Sequence, residues 1–151
     1  MKAVIQRVLE SNVSVDGKTV GSSNKGYMIL VGVTKGDTPK EAELLARKTA
    51  MLRVFEDENG KMNKSVLDID GDILAISQFT LCADCKKGNR PSFTDSEEPE
   101  NAKRLYELYC EELKKNGVKR VEKGVFGADM KVSLVNDGPV TICFDTDIWS
   151  K

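Results

Sequence analysis

A chain of 151 residues, with 23 Lys and Arg against 24 Asp and Glu, a net charge of −1 and 40% apolar residues, has the balance of one folded unit with a single core. Near-neutral charge excludes broad, non-specific nucleic-acid binding, so any RNA contact must be local. The chain has no histidine, which excludes Ser-His-Asp and Cys-His nucleophiles and H-E-x-x-H zinc sites, and leaves carboxylate or lysine chemistry, metal held by cysteines or carboxylates, or oriented backbone dipoles acting on a reactive substrate.

The opening residues break their apolar run at Gln6 and Arg7 and carry no cleavage-site pattern, so they read as a strand rather than a signal peptide. No stretch reaches the roughly 20 apolar residues that span a bilayer, and the expected compartment is the cytosol, with no membrane partner. Residues 3 to 8 and 12 to 15 predict two strands, and Asp16-Gly17 between valines predicts a hairpin turn. The seven apolar residues 27 to 33 predict a strand buried on both faces. Thr38 as N-cap, Pro39 at the first helical position and Glu41 three residues after Thr38 predict a helix, with Ala42, Leu45, Ala46, Thr49 and Leu52 on its apolar stripe. Short strands follow at 53 to 56, stopped by Asp57-Glu58-Asn59-Gly60, and at 73 to 77. After a loop containing Gly88 and Pro91, residues 99 to 116 predict a second helix with Ala102, Leu105, Tyr109 and Leu113 on one face and Gly117 as its stop. Strands at 131 to 135 and 140 to 144 flank a turn at 136 to 139.

The order predicts one mixed α/β (α+β) domain over 1 to 151, in which curved sheets pack with two helices. Three segments stand out. Ser77-Gln78-Phe79-Thr80-Leu81 places small polar groups directly after an apolar strand, a rigid place to mount a site. Asn136-Asp137-Gly138-Pro139-Val140-Thr141 is turn chemistry between apolar strands. Lys86, Lys87 and Arg90 make a basic loop that reads equally as a solvated charge run or as a phosphate contact. Cys82-Ala83-Asp84-Cys85 is a C-x-x-C, but there is no second pair and no histidine to complete a tetrahedral metal site, and Cys110 and Cys143 read as core. In the cytosol the four cysteines are expected as thiols, and neither metal nor cofactor is expected.

SQFTL at 77 to 81 and NDGPVT at 136 to 141 resemble the two signature motifs of the D-aminoacyl-tRNA deacylase family. The resemblance extends in register through MKAVIQRV at the start, VFEDENGKMN at 54 to 63, KGNRPSF at 87 to 93 and FGADMKVSLVNDGPVT at 126 to 141, covering residues 1 to 145. It implies a barrel-like sandwich with two packed helices, and a homodimer whose active site at the subunit interface receives the aminoacylated 3′ end of tRNA. It also implies that Gly138-Pro139, joined by a cis bond, reaches into the partner's pocket, and that Ser77, Gln78, Phe79 and Thr80 form the catalytic side, with either the Thr80 hydroxyl as nucleophile or the RNA's own 2′-hydroxyl in its place. Asn136 and Thr141 accompany the selecting turn.

An aminoacyl ester is already activated and has a ribose 2′-hydroxyl beside it. Backbone N–H groups at Phe79 and Thr80 then suffice to stabilise the oxyanion, one such donor being worth about 3 to 4 kcal/mol. Chirality has to come from rejection, since D- and L-amino acids carry the same groups, and a fixed turn is the simplest wall. Such a filter passes several D-amino acids and achiral glycine, so mischarged glycyl-tRNA is an expected second substrate. The tail from 146 to 151, with the single tryptophan at 149, lies beyond the resemblance and is read as covering apolar surface at the dimer interface.

Overall fold

A computed structural model describes residues 1–150; the last residue of the expected domain and tail, Lys151, lies outside the described residues. The fold is built on strand β1 (Lys2–Val15), which carries neighbours along both edges. One edge pairs antiparallel with β3 (Gly26–Gly32) and then with β2 (Lys18–Ser23), which follows the turn at Asp16 and Gly17. The other pairs antiparallel with β8 (Lys131–Asp145) over almost its whole length. Two parallel strands, β6 (Asp72–Ser77) and β7 (Val121–Lys123), extend the sheet from β3. Curvature brings the ends of the path together. Gly21 of β2 lies so close to β7 that a Cβ there would sit 2.6 Å from the Lys123 carbonyl oxygen. A nearly closed, barrel-like sheet results, with β4 (Phe55–Glu56) and β5 (Met62–Lys64) forming a separate small hairpin.

Alternation along the strands divides the core in two. Ala3, Ile5, Tyr27, Ile29, Val31, Ile73 and Ala75 point to one side, where helices α1 (Pro39–Met51) and α2 (Pro99–Lys115) bury Leu45, Leu105, Tyr109 and Leu113 against them. Val8, Val13, Met28, Leu74 and Ile76 point to the barrel interior. The expected two-sided strand is thus β3. The start of α1 follows the capping chemistry, with Thr38 Oγ1 accepting from Lys40 N and the Glu41 carboxylate accepting from Thr38 N at 2.8 Å. Tyr109 spans the helix pair, its hydroxyl 2.9 Å from Thr49 Oγ1, which itself donates to the Leu45 carbonyl.

Three expectations need correction. Residues 3 to 8 and 12 to 15 are one strand, because β8 pairs across the intervening polar residues. Residues 131 to 145 are likewise one strand, and 136 to 139 form no chain-reversing turn but a bulge within it: Asn136 pairs with Val8 and Thr141 with Gln6, so four residues face Arg7 alone. Cys143 is exposed rather than core, since β8 is an edge strand whose outer side no other described residue of this chain covers. The tail folds back on its own chain. The Trp149 ring meets Phe144 edge-on at 5.0 Å and takes Lys48 Nζ over its face at 5.3 Å. No helix among the described residues is long and apolar enough to cross a membrane.

Candidate active site

Where β6 ends, the chain turns away from the sheet and opens a cleft. Gln78 N still bonds the Val31 carbonyl at 2.7 Å, and the next residues wind into a 3-10 turn at Phe79–Cys82. This turn packs directly on Gly32 of β3. A Cβ at Gly32 would lie 3.0 Å from Leu81 Cβ and 3.2 Å from the Gln78 carbonyl oxygen, so the close approach favours glycine. The turn leaves the N–H groups of Phe79 and Thr80 without acceptors inside it, the usual state of a helix start. Gln78 Nε2 donates to Thr80 Oγ1.

The cleft has a volume of about 750 Å³ and an apolar floor of Val33, Ile76, Ala102, Phe126, Met130 and Val132. Ser77, Gln78 and Phe79 border it, and Phe79, 56% exposed, meets Phe93 edge-on at 5.0 Å to form an aromatic wall. Its charged lining is Lys35 with Glu97, Glu98 and Asp129. Glu97 is already engaged: its carboxylate accepts from Glu98 N at 2.8 Å and Asn101 Nδ2 at 2.9 Å, and these bonds, the backbone one foremost, hold it below the usual carboxylate range. A carboxylate stabilised in its charged form is a weak general base.

Of the residues singled out in the sequence, Ser77, Gln78 and Phe79 line this cleft and Thr80 adjoins it through Gln78. Asn136, Gly138, Pro139 and Thr141 lie on β8, and none of the four borders the cleft of its own chain. The Gly138-Pro139 bond is cis. Arg7, only 6% exposed, secures this bulge from the neighbouring strand. Its Nε donates to the Asp137 carbonyl at 3.0 Å and lies 3.5 Å from Asp137 Oδ2, while Nη1 donates to the Val54 carbonyl at 2.6 Å. Gly138 has φ 126°, and a Cβ there would meet Arg7 Nη2 at 3.1 Å and Val140 Cγ2 at 3.0 Å, so both conformation and space demand glycine. Sequence reading passed over Arg7 as a site residue. Its signal was a cation continuing the inward-facing series Ala3, Ile5, Arg7.

Lys86, Lys87 and Arg90 are exposed on the loop that leads to Phe93, so they flank the aromatic wall without entering the cleft. Lys86 lines a shallow neighbouring depression with Lys2 and Asp95. The C-x-x-C lies beside it. Cys82 is buried, which pushes its thiol up, and Cys85 is exposed; between them Ala83 is extended (φ −64°, ψ 135°) and Asp84 bridges to Ser92 with bonds of 2.7 and 2.9 Å. That backbone is unlike the helical turn that brings two C-x-x-C sulfurs together, and all four cysteines are free. Burial raises the Cys110 thiol to about 12. Among the described residues no three His, Cys, Asp or Glu side chains are grouped to hold a metal ion.

The fold has solved counterparts. A structure titled "c-Myc DNA Unwinding Element Binding Protein" superposes with a TM-score of 0.90 at 44% identity, covering 96% of this chain and 98% of that one. Another, titled as a probable eukaryotic D-amino acid tRNA deacylase, has a TM-score of 0.81 at 17% identity and supports the fold alone. Relatives named D-aminoacyl-tRNA deacylase include those of Clostridium novyi, 55% identical over 146 residues, and Thermosipho melanesiensis, 54% identical, each covering 97% of both chains. That of Geotalea uraniireducens is 56% identical over 97% of this chain and 94% of its own. The model of the D-Tyr-tRNA(Tyr) deacylase family matches residues 4–145, nearly the whole chain. This chain therefore belongs to the D-Tyr-tRNA(Tyr) deacylase family.

Proposed function

We propose that the chain hydrolyses the ester of D-aminoacyl-tRNA at the cleft beyond β6, releasing free D-amino acid and tRNA, with rejection of L-aminoacyl-tRNA by the Gly138-Pro139 bulge of a second subunit. The observation that carries the activity is the match to deacylases over 97% of the chain at 54 to 56% identity. By family the protein is a D-aminoacyl-tRNA deacylase, a hydrolase in tRNA proofreading. Support for the cross-subunit reading is the separation of the two motifs within one chain: residues 77 to 79 line the cleft, whereas Gly138 and Pro139 stand on the outer strand away from it. β8 also offers a second copy a long unpaired edge, with Val135 44% exposed on it and Leu9 51% exposed on adjoining β1. Such an edge invites pairing.

In this reading Phe79 and Thr80 donate their main-chain N–H groups to the developing oxyanion, and the 2′-hydroxyl of the terminal ribose orients the attacking water, taking its proton while passing its own to the departing 3′-oxygen. The aromatic wall of Phe79 and Phe93 gives the terminal adenosine an apolar surface. Chain residues supply position and dipoles, and the substrate supplies the acid-base group. The direct test compares deacylation of D-Tyr-tRNA and L-Tyr-tRNA with and without protein. The expected result is rapid release from the D substrate, release from glycyl-tRNA as a second acyl substrate without handedness, and spontaneous rates for the L substrate. Equal rates for both tyrosyl isomers would end the chiral reading.

Lys86, Lys87 and Arg90 are assigned to the acceptor-end phosphates. Replacing all three with alanine is expected to weaken tRNA binding and to lower the slope of log affinity against log salt by about 2 to 3, on the rule of roughly one unit per phosphate contact. Salt titrations of binding check it, with small ester substrates unaffected; an unchanged slope returns the loop to a solvated charge run.

A further inference from the structure

The small hairpin β4–β5 stands apart from the main sheet and borders no part of the cleft, yet its ten-residue span is unusually well bonded. Asp57 organises it. Its Oδ1 accepts from Asn59 N at 2.8 Å and Lys61 N at 3.0 Å, and its Oδ2 from Asn63 Nδ2 at 2.7 Å. These bonds, Asn63's foremost, hold the Asp57 carboxyl below its ordinary range. Asn63 passes the constraint on. Arg53 Nε donates to the Asn63 carbonyl at 3.0 Å and Arg53 Nη2 to Asn63 Oδ1 at 2.8 Å, a two-point grip that fixes direction as well as distance.

The residue after Arg53 is Val54, whose carbonyl receives Arg7 Nη1 at 2.6 Å. Its other neighbours are also fastened, with Tyr27 OH donating to the Leu52 carbonyl at 3.4 Å and the Tyr27 ring packed against Phe55 at 5.2 Å with a tilt of 37°. On its far side the same guanidinium bonds the Asp137 carbonyl, one residue before Gly138. Hydrogen bonds therefore lead from Asp57 through Asn63 to Arg53, the chain itself carries on to Val54, and hydrogen bonds resume from the Val54 carbonyl through Arg7 to the bulge.

We propose that Arg53 and Asn63 are positioning residues for chiral selection: by fixing the Val54 carbonyl they set where Arg7 stands, and through Arg7 where the Gly138-Pro139 bulge points. The inference rests on the assignment of that bulge as the chiral filter. A solvent-exposed ion-dipole pair contributes little to global stability, so its loss is felt as misplacement rather than unfolding. Small misplacements matter, since an error of about 1 Å at a reacting centre costs about 10²-fold.

The experiment measures deacylation rates on D- and L-Tyr-tRNA, with thermal melting in parallel, for Arg53→Ala, Asn63→Ala, their double variant, Arg53→Lys, Pro139→Ala and, as a surface control, Arg47→Ala. Each alanine variant of the pair is expected to lower the D-to-L rate ratio about tenfold with melting unchanged, and the double variant to fall no further than either alone. Arg53→Lys, which keeps the charge but on a single donor nitrogen, should fall between wild type and Arg53→Ala, and Arg47→Ala should keep the wild-type ratio. If Pro139→Ala lowers the ratio and Arg53→Ala and Asn63→Ala do not, the positioning role is overturned. If Pro139→Ala itself leaves the ratio intact, the filter assignment fails first. A ratio that falls only with melting, or additive losses in the double variant, likewise overturns the inference.

Discussion

D-Tyr-tRNA ending in 2′-deoxyadenosine is expected to be hydrolysed about 10²-fold or more slowly than the natural substrate, the usual scale of a lost acid-base group, while Thr80→Ala keeps most of the wild-type rate. The physical case starts from the side chains that cannot serve. The chain has no histidine, and the buried Cys82 thiol is held toward its neutral form. Glu97 is held ionised by its two donors. A hydroxyl nucleophile needs a base beside it, yet the side-chain partner of Thr80 Oγ1 is the Gln78 carboxamide, which is no effective base at either of its atoms. The main-chain N–H of residue 80 survives alanine substitution, so an oxyanion role for that amide is preserved. Single-turnover rates on the two RNAs and the two proteins check the claim. The reverse pattern, a dead Thr80→Ala and an unimpaired deoxy substrate, would restore Thr80 as nucleophile.

Arg7→Ala is expected to have the second large effect, because this one buried guanidinium satisfies carbonyls on two different segments. Removing it leaves the Val54 and Asp137 carbonyls without their charged donor. Hydrogen bonds to charged groups contribute about 1.5 to 3 kcal/mol each, so a loss of about 3 kcal/mol in unfolding free energy is expected, measurable by denaturant titration. The bulge loses its tether at the same time, and discrimination against L-Tyr-tRNA should fall by about tenfold or more, as for a wall displaced by a fraction of an ångström. Arg7→Lys is not a rescue, since a single ammonium cannot span both acceptors in the fork geometry. A stable Arg7→Ala protein with intact discrimination would remove Arg7 from this account.

Local chemistry was legible in the sequence wherever a single element decides it. The Thr38, Pro39 and Glu41 start of α1, the Gly117 stop of α2 and the two-sided burial of β3 each follow from side chains within a few residues of one another. Pairing across distance was not. Two predicted strand pairs merged into β1 and β8 because each supplies the other with a continuous row of partners, and that row carries polar stretches that local propensity assigns to turns. β5 and β7, of three residues each, were missed for the same reason, being defined by their neighbours rather than by periodicity.

By itself the sequence excluded imidazole chemistry, through the absence of histidine, and supplied the motifs at 77 to 81 and 136 to 141 that carry the family resemblance. The tertiary structure alone decided that these motifs stand apart in one chain, the first at a cleft and the second as a bulge gripped by Arg7. Composition and motif are properties of the letters; the grip on Asp137 and Val54 joins positions 130 and 47 residues from Arg7 in the chain, and only the curvature of the sheet brings them within hydrogen-bond reach.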